Sequence, residues 1–290
     1  MDLTAFAADV GGVGPVTIVG HGTRGGEVAG RRCVRAPSGI DWIQADEMTA
    51  SCGAGTPVDE LAAALREVGQ RTVLPPGGTV GGALAAGRSG IRRLGDGPMR
   101  DVLLQTHYIG ADGAVVKAGG PTVKNVSGFD VCRLLVGSRG TLGFLGDVIV
   151  RTRPLALCTQ WFRCDGRDPL EILAATYRPV AVLFDGASVF TLLEGHPCDV
   201  AEQAATLGLT EVEGPPEIPP HRVVASPGAV PALVGALEPR SFVAEMGVGV
   251  LHTTSPADPV SPDPGVARVA ARMKHQFDPT GRLNPGVVVG

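Results

Sequence analysis

Forty-two of the 290 residues are glycine, about twice the ordinary usage of about 7%, and they fall in clusters. The first runs from Gly20 to Gly26, the second from Gly77 to Gly87 and the third from Gly137 to Gly143, each set against short apolar runs. A chain that needed only turns would spread its glycines. Glycine tolerates positive φ and carries no side chain, so a loop rich in it can bring several backbone N–H groups against phosphate oxygens. The pattern predicts a loop-rich globular protein that lays bare backbone against a large anionic small molecule.

Composition narrows the partner. The net charge is −4, with acidic and basic residues interspersed, and no Lys/Arg block suggests a nucleic-acid surface. The six cysteines form no C-x-x-C pair, and no histidine stands at zinc-like spacing, so free thiols and no metal are expected. The start, Met1-Asp2-Leu3, shows no targeting pattern, and no run reaches the ~18 apolar residues of a spanning helix. The cytoplasm is the expected location, with peripheral membrane attachment through partner subunits left open.

Along the chain, Val16 to Val19 reads as a strand feeding the first loop. A helix is expected from Pro57 to Val68, capped by Thr56, with Val58, Leu61, Leu65 and Val68 on one stripe. Asp101–Ile109 and Ala114–Lys117 flank a Gly110–Gly113 turn and predict a hairpin. Phe144–Arg151 reads as a strand, as do Val223-Val224 and Phe242–Leu251. A short helix is expected over Pro231–Leu237 and a longer one over Val266–Phe277. A composition shift at Pro154 places the domain boundary between residues 1–154 and 155–290.

Gly20-x-Gly22-x-x-Gly25 matches the dinucleotide-binding fingerprint by letter. That fingerprint needs a helix opening at the third glycine, and Gly25 to Arg31 carries no helical stripe. A Rossmann site, a surface hairpin turn and a phosphate-cradling loop of another fold remain the alternatives. For the second cluster the alternative is a flexible linker, which the apolar Val80, Leu84 and Ala85 argue against.

Taken in order, Gly20-His21-Gly22-Thr23-Arg24, Gly53-Ala54-Gly55, Thr79-Val80-Gly81-Gly82, Lys124 to Asp130, Gly137 to Gly143, Phe277-Asp278-Pro279 and Leu283 to Gly286 resemble the vanillyl-alcohol-oxidase, or PCMH-type, FAD-binding flavoproteins. The likeness is greatest to the FAD-binding small subunit of bacterial glycolate oxidases. It covers roughly residues 15 to 155 and 270 to 286; the segment from 156 to 265 aligns only loosely.

The resemblance implies an α+β fold: a PCMH-type FAD-binding domain of two α/β subdomains, plus a smaller α+β second domain with the C-terminal tail returning to the flavin site. It implies FAD contacts from Gly20, His21, Gly22, Thr23, Arg24, Gly53, Ala54, Gly55, Pro76, Gly78, Thr79, Gly81, Gly82, Gly87, Ser89, Gly90, Lys124, Asn125, Gly140, Gly143, Phe144, Leu145 and Asn284. Some members bind FAD covalently through a histidine, but that position would fall at Thr23, so the FAD is expected to be non-covalent. Arg139 replaces an acid common in the wider family's Gly-Ser-Glu-Gly turn.

Flavin supplies redox chemistry while the protein orients and polarises, so oxidation of a 2-hydroxy acid would need a base and a cation. Lys124 and His252 are the catalytic candidates, each weighed against an ordinary surface or core residue. Three functions stay open: an FAD-dependent oxidoreductase or its electron-transfer subunit, working beside a larger flavoprotein and an iron–sulfur protein; a nicotinamide-dependent dehydrogenase; and a non-catalytic binding or assembly module on the same fold.

Overall fold

The computed structural model describes residues 1–23, 32–121, 130–256 and 263–287. The chain divides into two compact units, one of Met1–Gly90, Pro98–Leu155 and Ser261–Gly290, the other of Ile91–Gly97 and Ala156–Val260.

The first unit is built on a five-stranded antiparallel sheet in the order Ile40–Gln44, Thr49–Gly53, Phe144–Arg151, Leu103–Ile109, Val115–Gly119. Thr49–Gly53 is buried at every residue and Phe144–Arg151 at all but its last. Small residues in the former and branched ones in the latter suit strands covered on both faces. The expected hairpin forms over Leu103–Ile109 and Val115–Gly119, closed by Gly110 N–H on Ala114 O and by the Asp112 carboxylate on the Ala114 amide.

The helix Val58–Glu67 buries Val58, Leu61 and Leu65, each contributing about 1.5–3 kcal/mol by leaving water. Its start differs from the expectation. Pro57 takes the cap position with no side-chain cap bond, because the Thr56 hydroxyl is engaged with both the amide and the carbonyl of Gly39. A smaller core gathers Phe6 and Val10 of the helix Thr4–Val10, Val16 and Val34 of the parallel pair Val16–Ile18 and Arg32–Val34, and Ile109, Phe144 and Leu283.

The second unit is a seven-stranded antiparallel sheet in the order Thr210–Val212, Cys158–Asp165, Ser188–Gly195, Ala181–Phe184, Phe242–Glu245, Val250–Thr253, His221–Val224. The segment expected as one strand over Phe242–Leu251 is therefore two, turned back at Gly247 and Gly249, which have φ of 74° and 84°. Ile172 of the helix Pro169–Ala175 and Val230 of the helix Val230–Val234 pack with Val182, Phe242, Ala244 and Leu251. Strand alternation puts Val243, Glu245 and His252 on the other face.

All six cysteines are free. Burial pushes the Cys52 thiol up to about 12 and the Cys132 thiol to about 11, so both stay protonated and unreactive at neutral pH. Among the described residues no helix is long and apolar enough to cross a membrane.

Candidate functional site

The three glycine bends meet at one cavity of about 1130 Å³ in the first unit. Gly20 to Thr23 line it from the first bend, Thr79, Gly81 and Gly82 from the second, and Gly140, Gly143, Phe144 and Leu145 from the third. Ala54, Gly55 and Asn284 complete the set of expected residues on its wall. Gly53, Pro76, Gly78, Gly87, Ser89 and Gly90 do not line it. Gly53 ends a strand and lies against Pro37, the Gly78 carbonyl accepts from the Val58 amide, and the Ser89 hydroxyl accepts from the Met99 amide. Arg24, Lys124 and Asn125 lie outside the described residues.

The bends are built differently. In the second, Thr79 caps the short helix Val80–Ala86, its hydroxyl accepting from the Gly82 amide at 3.1 Å. The Val80 and Gly81 amides donate to Thr56 O and Ala54 O. A Cβ on Gly81 would stand 2.8 Å from the Ala54 Cβ and 2.9 Å from its carbonyl oxygen, closer than side-chain carbons approach. The glycine there permits packing, and its N–H is already engaged. In the first bend, among the described residues, no acceptor meets the amides of Gly20, His21 or Gly22. The Arg35 guanidinium donates to Gly20 O at 2.9 Å, and the planar trans peptide then turns the His21 N–H the opposite way.

The C-terminal segment ties the third bend to the first. Asn284 accepts from the Ile18 amide at 3.0 Å through Oδ1 and donates to Arg139 O at 2.6 Å through Nδ2. Arg139 is held at φ 50°, a left-handed conformation unusual for a side-chain-bearing residue, with its own amide on Ala85 O. A Cβ on Gly140 would fall 2.6 Å from Asn284 Nδ2, so the amide bridge requires glycine beside it.

Behind this bridge, the Lys274 ammonium donates to Thr141 O, Leu283 O and the Asp278 carboxylate. Burial raises the Asp278 pKa, but hydrogen bonds from Lys274 and from the Leu283 and Arg282 amides outweigh it and hold the carboxyl below its ordinary value. The Arg282 guanidinium closes the segment onto the carbonyls of Val10, Gly11, Gly14 and Ala111.

The wall fits a large phosphate-bearing ligand. Thr17 is buried at the cavity, and its hydroxyl oxygen has no partner among the described residues. Such an orphan costs about 1–3 kcal/mol unless something bonds it. Thr17, Ser38, Arg35 and Arg88 were not among the residues the motifs pointed to, and Arg139 was named only as a departure from the wider family's turn, not as an FAD contact. A β-branched residue within a strand and isolated arginines carry no local signature, although Arg139 stood inside the third cluster.

In the second unit, His252 Nε2 meets Glu245 Oε1 at 2.8 Å. Glu245 is 2% exposed, and its other oxygen is buried with no partner among the described residues. With Nε2–H given to the carboxylate, Nδ1 is left as the basic nitrogen.

Residues 9–119 match the family described as FAD binding domain. The chain is 35% identical over 193 residues to the glycolate oxidase subunit GlcE of Escherichia coli, covering 62% of this chain and 55% of that protein. It is 38% identical over 115 residues to a D-lactate dehydrogenase of Archaeoglobus fulgidus, covering 39% of this chain and 26% of that one. A third relative, the glycolate oxidase subunit GlcD of Bacillus subtilis, is 31% identical over 145 residues, 47% of this chain and 31% of the other. The chain thus spans about half or less of the length of these relatives. A solved structure of alkyldihydroxyacetonephosphate synthase shares the fold at a TM-score of 0.65 and 14% identity, over 93% of this chain and 71% of that one. Family match and fold agree on what is shown: residues 9–119 match an FAD binding domain, and the chain has the PCMH-type fold.

Proposed function

We propose that this chain is the FAD-carrying subunit of an oxidoreductase that acts on the CH–OH group of a 2-hydroxy acid. The observation that carries the reading is the convergence of three sequence-distant glycine bends on one cavity large enough for a dinucleotide. The relatives named glycolate oxidase subunit and D-lactate dehydrogenase support the substrate class. Work beside a larger flavoprotein and an iron–sulfur protein is part of the same proposal.

FAD, when bound, supplies a two-electron acceptor. Gly20, His21 and Gly22 would offer N–H groups to its diphosphate, with Thr17 donating or accepting through its unpartnered hydroxyl. Ala54, Gly55, Gly81, Gly82, Gly140 and Gly143 would form the close-fitting wall, and Phe144 and Leu145 its apolar part. In the second unit, His252 would accept a substrate hydroxyl proton at Nδ1, while Glu245 fixes the tautomer and steadies the cation that results. Attachment would be non-covalent, because Thr23 rather than histidine stands at the anchoring position.

Purified protein should be yellow, and acid precipitation should release the whole flavin spectrum into the supernatant. Colour retained in the pellet would refute non-covalent attachment, and folded protein that neither holds nor takes up FAD would make the chain a binding or assembly module. With FAD bound, His252→Gln should lower 2-hydroxy acid turnover by about 10²–10⁴-fold without changing the flavin content.

A further inference from the structure

The cavity wall is cationic in a way that backbone amides do not explain. Arg35, Arg88 and Arg139 all line it, all are exposed, and among the described residues no aspartate or glutamate is on the wall. None of the three forms an ion pair with a carboxylate among the described residues. They are distributed one to each bend. Arg35 is bonded to Gly20 of the first, Arg88 follows Gly87 at the end of the second bend's helix, and Arg139 is part of the third, its backbone fixed on both sides by Ala85 O and Asn284.

The second bend makes this distribution informative. Its amides at Val80, Gly81 and Gly82 are engaged within the protein, so they cannot neutralise a doubly charged group. Guanidinium groups present several N–H donors in a rigid plane that matches phosphate oxygens. Among the described residues, three cations without carboxylate partners around a wall without carboxylates leave a positive charge that a diphosphate would neutralise.

We propose that Arg35, Arg88 and Arg139 form a guanidinium rim that recognises the diphosphate of the bound nucleotide, so that this pocket is selective for the adenine-dinucleotide form of flavin and also holds ADP alone. This rests on the FAD reading and goes past it: the affinity is set by side-chain charge at the rim, and the isoalloxazine contributes less.

The test titrates flavin-free full-length protein with FAD, ADP and riboflavin, by calorimetry and by flavin fluorescence, at low and at moderate salt. Circular dichroism confirms that each variant is folded. The wild type should bind FAD and ADP, bind riboflavin far more weakly, and lose affinity for the first two as salt rises. Arg139→Glu should weaken FAD and ADP by about tenfold or more, Arg88→Gln by a smaller factor, and both should flatten the salt dependence while leaving riboflavin binding unchanged. If both folded variants bind FAD and ADP within about twofold of the wild type, with the same salt dependence, the rim is overturned while the FAD reading stands. If wild-type protein takes up no FAD, the FAD reading fails and the rim with it.

Discussion

The first and second glycine bends look alike as sequence and differ as structure. At Gly20–Gly22 the amides have no partners among the described residues, and Gly22, at φ 72°, has nothing within 4 Å of where a Cβ would stand. At Thr79–Gly82 the amides are engaged, and Gly81 sits hard against Ala54. One bend exposes backbone and the other brings two segments of chain together. Glycine density marks both uses and separates neither, because a missing side chain serves equally for an open donor and for a close contact.

Substitution at the two bends should separate these roles most strongly. Gly81→Val puts side-chain atoms into Ala54 and should destabilise the flavin-free protein by about 3 kcal/mol, lowering Tm by several degrees in a thermal melt. Gly22→Ala meets no atom of the described residues, pays the strain of positive φ, and should lose about 1 kcal/mol. Equal losses at the two positions would break the distinction.

The third bend tests whether the C-terminal bridge belongs to the scaffold. Asn284→Ala removes the acceptor for the Ile18 amide and the donor to Arg139 O, and it places alanine at φ 44°. We expect a loss of about 1–3 kcal/mol in stability together with weaker FAD binding, since Arg139 and Gly140 both lose their anchor. Asn284→Asp keeps the acceptor for the Ile18 amide but sets a buried carboxylate oxygen against the Arg139 carbonyl, so it should lose at least as much as Asn284→Ala. A Tm and an FAD Kd both unchanged in Asn284→Ala would show the third bend to be self-supporting.

How far the sequence could be read depended on the range over which each residue acts. The hairpin about Gly110–Gly113 and the strand Phe144–Arg151 were legible because alternation and turn chemistry are local. The cap of the Val58–Glu67 helix was not, since Thr56 was drawn away by Gly39, a partner 17 positions off. The reversal inside Phe242–Leu251 was masked by an apolar run that two short paired strands share with one long strand. The crossing of Ile91–Gly97 into the second unit has no compositional mark. At the cavity the motifs pointed to glycines at all three bends, but Arg35 and Arg88 reach it only through the fold. Glu245, the carboxylate beside His252, lies seven residues away and across a turn, a spacing that signals nothing by itself.

The smallest expected effect is the sharpest on what the cavity is for. Thr17 Oγ1 is a buried hydroxyl without a partner among the described residues, which in the flavin-free protein is a liability. Thr17→Val keeps the branched shape demanded by the strand and removes the polar atom, so the flavin-free protein should be as stable as the wild type or gain about 1 kcal/mol. If that hydroxyl meets a polar atom of the bound nucleotide, FAD affinity should fall at the same time, by about 0.5–1.5 kcal/mol, or roughly two- to tenfold in Kd. The two measurements move in opposite directions only if the occupant is polar at that point. A variant more stable with unchanged FAD affinity would make Thr17 part of the apolar packing and leave ligand recognition to the Gly20–Gly22 amides and the arginines.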